Sequence, residues 1–187
     1  MKRFFITLFL LFFGLCVCAE DVDYEKIYRE LPVPTHSYVH DIDPGEFYDV
    51  KDTSWTPYPL FRLTAPLHFK TITIEPGYYL LTPREHEDKW YMLFKEQGKV
   101  KYIIPVYERD ITPLGFYDEN IPEPKMTWSQ RTHIKFMKFI GTHFEKAKRK
   151  PAPQTFLEMF DLDNNFISLI VYWGNHRYYM VLRTIQL

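Results

Sequence analysis

The sequence predicts an α+β fold that is mostly antiparallel β: an N-terminal β-meander, one amphipathic basic helix and a C-terminal three-stranded meander. Three observations predict it. Short apolar runs are separated by turn residues, with Glu96-Gln97-Gly98, Asp163-Asn164-Asn165 and Gly174-Asn175 between them. Aromatic residues make up 18% of the chain, and their broad side chains favour strands and bury large areas. One long segment, 127–149, carries apolar residues at a helical period and is followed by Pro151 and Pro153.

The chain opens on Met1–Ala19, which has the pattern of a signal peptide. Lys2 and Arg3 precede an almost wholly apolar run, Phe4 to Val17, and Val17-Cys18-Ala19 stands ahead of Glu20-Asp21. The run is shorter than the roughly 20 apolar residues of a spanning helix. Cleavage, export to a periplasmic or secreted location and no integral membrane span thereafter are the expectation. An uncleaved anchor would still send the remainder outside. Cys16 and Cys18 both lie in this segment. The mature chain is then free of cysteine, which excludes disulfides, thiolate metal sites and a cysteine nucleophile.

Residues 20–57 read as an acidic arm that lies on the domain. Pro32, Pro34, Pro44 and Pro57 interrupt any long helix, one short helix fits near Tyr24–Leu31, and Tyr38, Phe47, Tyr48 and Trp55 supply apolar anchors. A single globular domain is expected over 58–187. Strand signals begin near Leu60. Leu67–Ile74 alternates in part and reads as one strand, ended by Glu75-Pro76-Gly77-Tyr78, which suits a type II turn. Tyr78–Thr82 is a second strand ended by Pro83, and Arg84–Asp88 a polar loop. Lys89–Lys95 and Lys99–Tyr107 follow, and Pro105 places the latter at an edge or a bulge. These four segments are expected to form one meander over 60–108.

Thr112–Pro124 reads as a linker. In the helix that follows, Thr127 or Ser129 suits the N-cap. His133, Phe136, Met137, Ile140, Phe144 and Ala147 share one stripe, which is expected to pack across the sheet. Thr155–Asp161, Phe166–Trp173 and His176–Gln186 complete the chain as three strands, the nearly continuous apolar Phe166–Tyr172 at the centre of the sheet.

Charge is the sharpest functional signal. Net charge is only −1, yet residues 125–150 hold eight Lys or Arg against Glu145 alone, and residues 20–124 hold twenty acidic against eleven basic residues. Arg131, Lys135, Lys138, Lys146 and Arg149 form a basic face suited to an anionic envelope component or a protein partner. The competing account is a solvated face that balances the acidic arm. The pattern contains no specific nucleic-acid motif. Tyr79, Trp90, Trp173 and Tyr178 are candidates for a stacking platform on a sheet face, against the alternative that they fill a core.

Metal and catalytic signals are thin. His36 and His40 have i, i+4 spacing, but prolines flank them and no HExxH is present. Asp161, Asp163 and Asn165 start like a calcium loop that Phe166 and Tyr172 then break. Glu85, Glu87 and Asp88 surround His86, which suits acid–base work, while no GxSxG elbow or phosphate-cradling glycine loop occurs. A non-enzymatic binding or structural domain without cofactor or metal is therefore the leading expectation, and an exported hydrolase using carboxylate and His residues the alternative.

Overall fold

A computed structural model describes residues 22–51, 57–122, 126–143 and 152–186, with no account of the side chains of 141–143. The segment expected to be a signal peptide, Lys146, Arg149 and the far end of the expected basic helix lie outside the described residues. In chain order the elements are α1 (Tyr24–Glu30), α2 (Gly45–Lys51), β1 (Leu60–Leu63), β2 (Leu67–Phe69), β3 (Ile72–Ile74), β4 (Gly77–His86), β5 (Lys89–Glu96), β6 (Lys99–Pro105), β7 (Glu108–Ile111), α3 (Phe116–Asn120), α4 (Trp128–His143), β8 (Thr155–Asp161), β9 (Phe166–Trp173) and β10 (His176–Arg183). The fold is α+β with mostly antiparallel strands in two sheets. One sheet runs β1-β4-β5-β6, the other β3-β2-β10-β9-β8, and β7 also pairs with β10.

Turn chemistry sets the local pairings. Gln97 and Gly98 both have positive φ, 52° and 78°, as a two-residue type I′ hairpin requires, and they join β5 to β6. Glu87 and Asp88, at 49° and 60°, make the same kind of turn between β4 and β5. Here the structure corrects the expectation that Pro83 ends its strand and that 84–88 is a loop. The Leu81 amide donates to the Pro59 carbonyl (3.0 Å), so the nitrogen of Pro83, two residues on, faces the same edge beyond the end of β1. A missing donor on that open edge breaks no ladder bond, and β4 runs on to pair Pro83 with Met92 and His86 with Lys89.

The N-terminal meander is also corrected. Residues 67–74 fold as a hairpin, β2–β3, that joins β10 in the other sheet, while β1 takes the place beside β4. Lys70, at φ 51°, makes the turn. Its amide donates to Tyr28 Oη (2.5 Å), and its ammonium donates to the carbonyls of Arg29 (3.0 Å) and Leu31 at the end of α1. A cation belongs at that helix terminus.

The core lies between the sheets, where Phe61, Phe69, Ile74, Leu81, Met92 and Phe94 meet Leu169, Val171, Met180 and Leu182. The outer faces are occupied too. On the second sheet, Tyr28 of α1 lies edge-on to Phe166 (5.3 Å), Tyr107 lies against Tyr179, and Phe116 of α3 stacks on Tyr172 at 4.1 Å and 9°. Consequently β9 is buried on both faces along nearly its whole length. On the first sheet the outward Arg84 and Lys95 are covered by the acidic arm.

That coverage explains the main departure from expectation. α4 is not buried across a sheet: every described side chain from Met126 to Phe139 is exposed, and none of its described residues belongs to the core cluster. Much of both outer faces is already occupied, on the second sheet by aromatic side chains of α1 and α3 and on the first by the acidic arm. The short α3 and β7 lie in and beside the stretch expected to be a linker.

Candidate functional site

α4 stands on an excursion from one corner of the sandwich. Tyr117 Oη of α3 donates to the Gly174 carbonyl (2.7 Å), and the Gly174 amide donates to the Gln154 carbonyl (2.8 Å). The chain therefore leaves and returns beside the β9–β10 turn. At the helix start, Gln130 Oε1 accepts from the Thr127 amide (2.9 Å), the back-reaching half of a capping box, and Arg131 N donates to the Thr127 carbonyl (3.1 Å).

At about 100° per residue, Arg131, Lys135 and Lys138 occupy an arc of roughly 60°. Phe139, Phe136, Ile140 and Met137 fall within a neighbouring arc of roughly 160°, interleaved with Thr132, His143, Ser129 and His133. Trp128 sits at the boundary between them. Trp128 is 81% exposed, Phe136 59% and Met137 53%, values that core residues never show. Three of the five basic candidates are thus brought together on solvent-facing helix, next to exposed aromatic surface. Among the described residues no helix is long and apolar enough to cross a membrane.

The aromatic candidates do not form one platform. Tyr79 and Tyr178 are core residues, 3% and 1% exposed. The Tyr79 hydroxyl donates to the Glu75 carbonyl (2.8 Å), and burial, aided by Tyr102, pushes its pKa up to about 12. Trp173 donates through Nε1 to the Pro57 carbonyl (2.7 Å) and stacks on Tyr58. Trp90 meets Tyr178 at 5.2 Å, and the Arg109 guanidinium lies over its ring at 4.4 Å. Trp90, Arg109, Tyr91, Tyr107, Leu31 and Pro32 line an open cleft of about 330 Å³. Strand alternation is why one member of each Tyr-Tyr pair is buried: Tyr78 is exposed where Tyr79 is not.

The most deeply buried charges escaped the sequence reading. Asp43, 3% exposed, accepts from Arg84 Nε with both oxygens (3.0 Å each), from Lys95 Nζ (3.3 Å) and from the Gly45 amide (3.0 Å). Lys95 also reaches Glu46 (2.9 Å) and the ring of Tyr58 (4.5 Å), and Arg84 reaches Asp49 (2.7 Å) and Tyr58 Oη (3.0 Å). Burial by itself would raise the Asp43 pKa. The Arg84 hydrogen bond and charge, then Lys95 and the Gly45 amide, outweigh it and hold the carboxyl below its usual value. Burial and the hydrogen bond to Asp49 push Tyr58 well up. This cluster pins the arm to the first sheet. The available signal was Lys95 itself, a charge at the same strand parity as the apolar Tyr91 and Leu93.

The histidine pair is also rearranged. His36 and His40 share no helical turn: 32–38 carries no helix, and His40 sits in a short 3-10 turn at φ 54°. His36 instead stacks on His86 (4.2 Å, 25°) and lies edge-on to Tyr91 (4.7 Å). Burial first, then the charge of His86, lowers the His36 pKa, against a rise from Glu87. His86 Nε2 is 3.9 Å from Glu87, beyond hydrogen-bond reach. Among the described residues no three His, Cys, Asp or Glu converge as a metal site, the Asp161–Asn165 turn included. No protein-family model matches the chain, and neither the curated proteins nor the solved structures hold a match to it.

Proposed function

We propose that this protein is an exported, non-enzymatic binding domain of the cell envelope that holds an anionic component through α4. One observation carries the reading: Arg131, Lys135 and Lys138 project into solvent from a helix that the domain does not bury. A helix that merely completes a core would hide its apolar stripe. The leader supports an envelope location, and Asp43 and Glu46 of the acidic arm are engaged by Arg84 and Lys95 of the sheet. The sandwich then serves as a platform and the excursion as the contact.

The test is a pull-down of envelope components by the exported chain, compared with Arg131→Glu/Lys135→Glu/Lys138→Glu. Binding that weakens as salt rises, and that the reversed charges abolish, supports the reading. Equal binding by both proteins refutes it.

A further inference from the structure

We infer that the anionic component is the surface of a lipid bilayer, on which α4 lies in the plane of the interface with its aromatic arc among the acyl chains. This inference rests on the proposed function and names its partner. A polyanion, whether glycan or acidic protein, calls for the basic arc alone. It gives no use to the large apolar side chains on the neighbouring face, where Phe136 and Met137 stand in solvent at 59% and 53% exposure. An interfacial helix uses both: apolar side chains enter the headgroup–acyl boundary while Lys and Arg stems reach back to anionic headgroups.

Two details favour the bilayer. Trp128 sits where the basic and apolar arcs meet, the level at which an indole rests between headgroup and hydrocarbon. From Met126 to His143 the sequence holds no acidic residue, so no part of the helix is repelled by a negative surface. The tether is suited as well. Both ends of the excursion are held at Gly174, by Tyr117 and by Gln154, so α4 can enter an interface without disturbing the sheets.

The experiment uses the full exported chain with vesicles of phosphatidylcholine alone or with roughly one-third phosphatidylglycerol. Sedimentation reads binding, and brominated acyl chains read the depth of Trp128, with Trp128→Phe identifying its signal among the other tryptophans. Circular dichroism establishes that each variant retains the β fold. The expected result is binding to the anionic vesicles, quenching that Trp128→Phe removes, and affinity lost by about tenfold or more in both Phe136→Ser/Met137→Ser and the triple charge reversal. If Phe136→Ser/Met137→Ser binds as the parent does, or Trp128 is not quenched, the contact is one of charge alone. The bilayer inference then fails while the anionic-component reading stands. Binding to an acidic polysaccharide without binding to vesicles likewise overturns the bilayer and keeps the anionic component. Binding to neither removes both.

Discussion

Asp43 is the charged residue whose loss should be felt most. Replacing it with Ala removes the carboxylate that faces Arg84 and Lys95 at once, and the Lys95 side chain is fully buried. Orphaning one member of a buried ion pair typically costs about 3–5 kcal/mol. The structure argues for the lower end. Lys95 keeps Glu46 at 2.9 Å and the Tyr58 ring at 4.5 Å, and Arg84 keeps Asp49 at 2.7 Å. The expected loss is therefore about 3 kcal/mol, or roughly 6–12 °C in Tm for a domain of this size. Lys95→Met should cost far less, within about 1 kcal/mol, because Asp43 retains Arg84 and the Gly45 amide while the methionine stem fills the same space. Urea unfolding followed by far-UV circular dichroism measures both. A loss below about 1 kcal/mol for Asp43→Ala, or a larger loss for Lys95→Met than for Asp43→Ala, would show that the arm is not held by this carboxylate.

Three further outcomes are expected. With its pKa depressed, His36 stays neutral in the folded protein while the unfolded chain protonates near its ordinary value of about 6.5, so stability present above that pH falls as pH drops towards the folded value. Urea midpoints between pH 8 and pH 5 should show this fall, and His36→Phe should flatten it; an unchanged slope would deny the His36–His86 stack its role. Gly45→Ala should cost about 1–3 kcal/mol, since a Cβ there would stand 2.7 Å from Arg84 Nε and push the guanidinium off Asp43. A wild-type melting curve for that variant would mean that Arg84 has room to move. Phe94→Ala, at a fully buried position between the sheets, should lose about 3–5 kcal/mol by thermal or urea melts, and a loss near 1 would place Phe94 outside the true core.

Much of the secondary structure was legible because its causes are local. Gly98 and Asn164-Asn165 favour positive φ, and they turn the chain where the sequence says. The apolar run at Phe166–Tyr172 reads as a central strand, and β9 lies between β8 and β10. The errors are all non-local. Nothing near Leu67–Ile74 announces that Tyr28 and the carbonyls of Arg29 and Leu31 will capture Lys70 and bend the segment into a hairpin. Pro83 reads as a strand end because its open edge is created by the length of β1. For the site, residue types were legible and accessibility was not: the basic arc of α4 was visible in the sequence, whereas the burial of Tyr79 and Tyr178 depends on which sheet covers them.

By itself the sequence determined the strand content, the hairpin turns, the separation of acidic arm from basic helix and the amphipathic period of 127–149, since each follows from a residue's own backbone preference or from its spacing to near neighbours. Only the tertiary structure decided which strands share a sheet, where the acidic arm docks and whether the stripe of α4 is covered. Those outcomes are settled by competition for apolar surface among elements far apart in the chain. α1, α3 and the arm took much of the outer surface of the sandwich, and the described side chains of the amphipathic helix from Met126 to Phe139 stand in solvent.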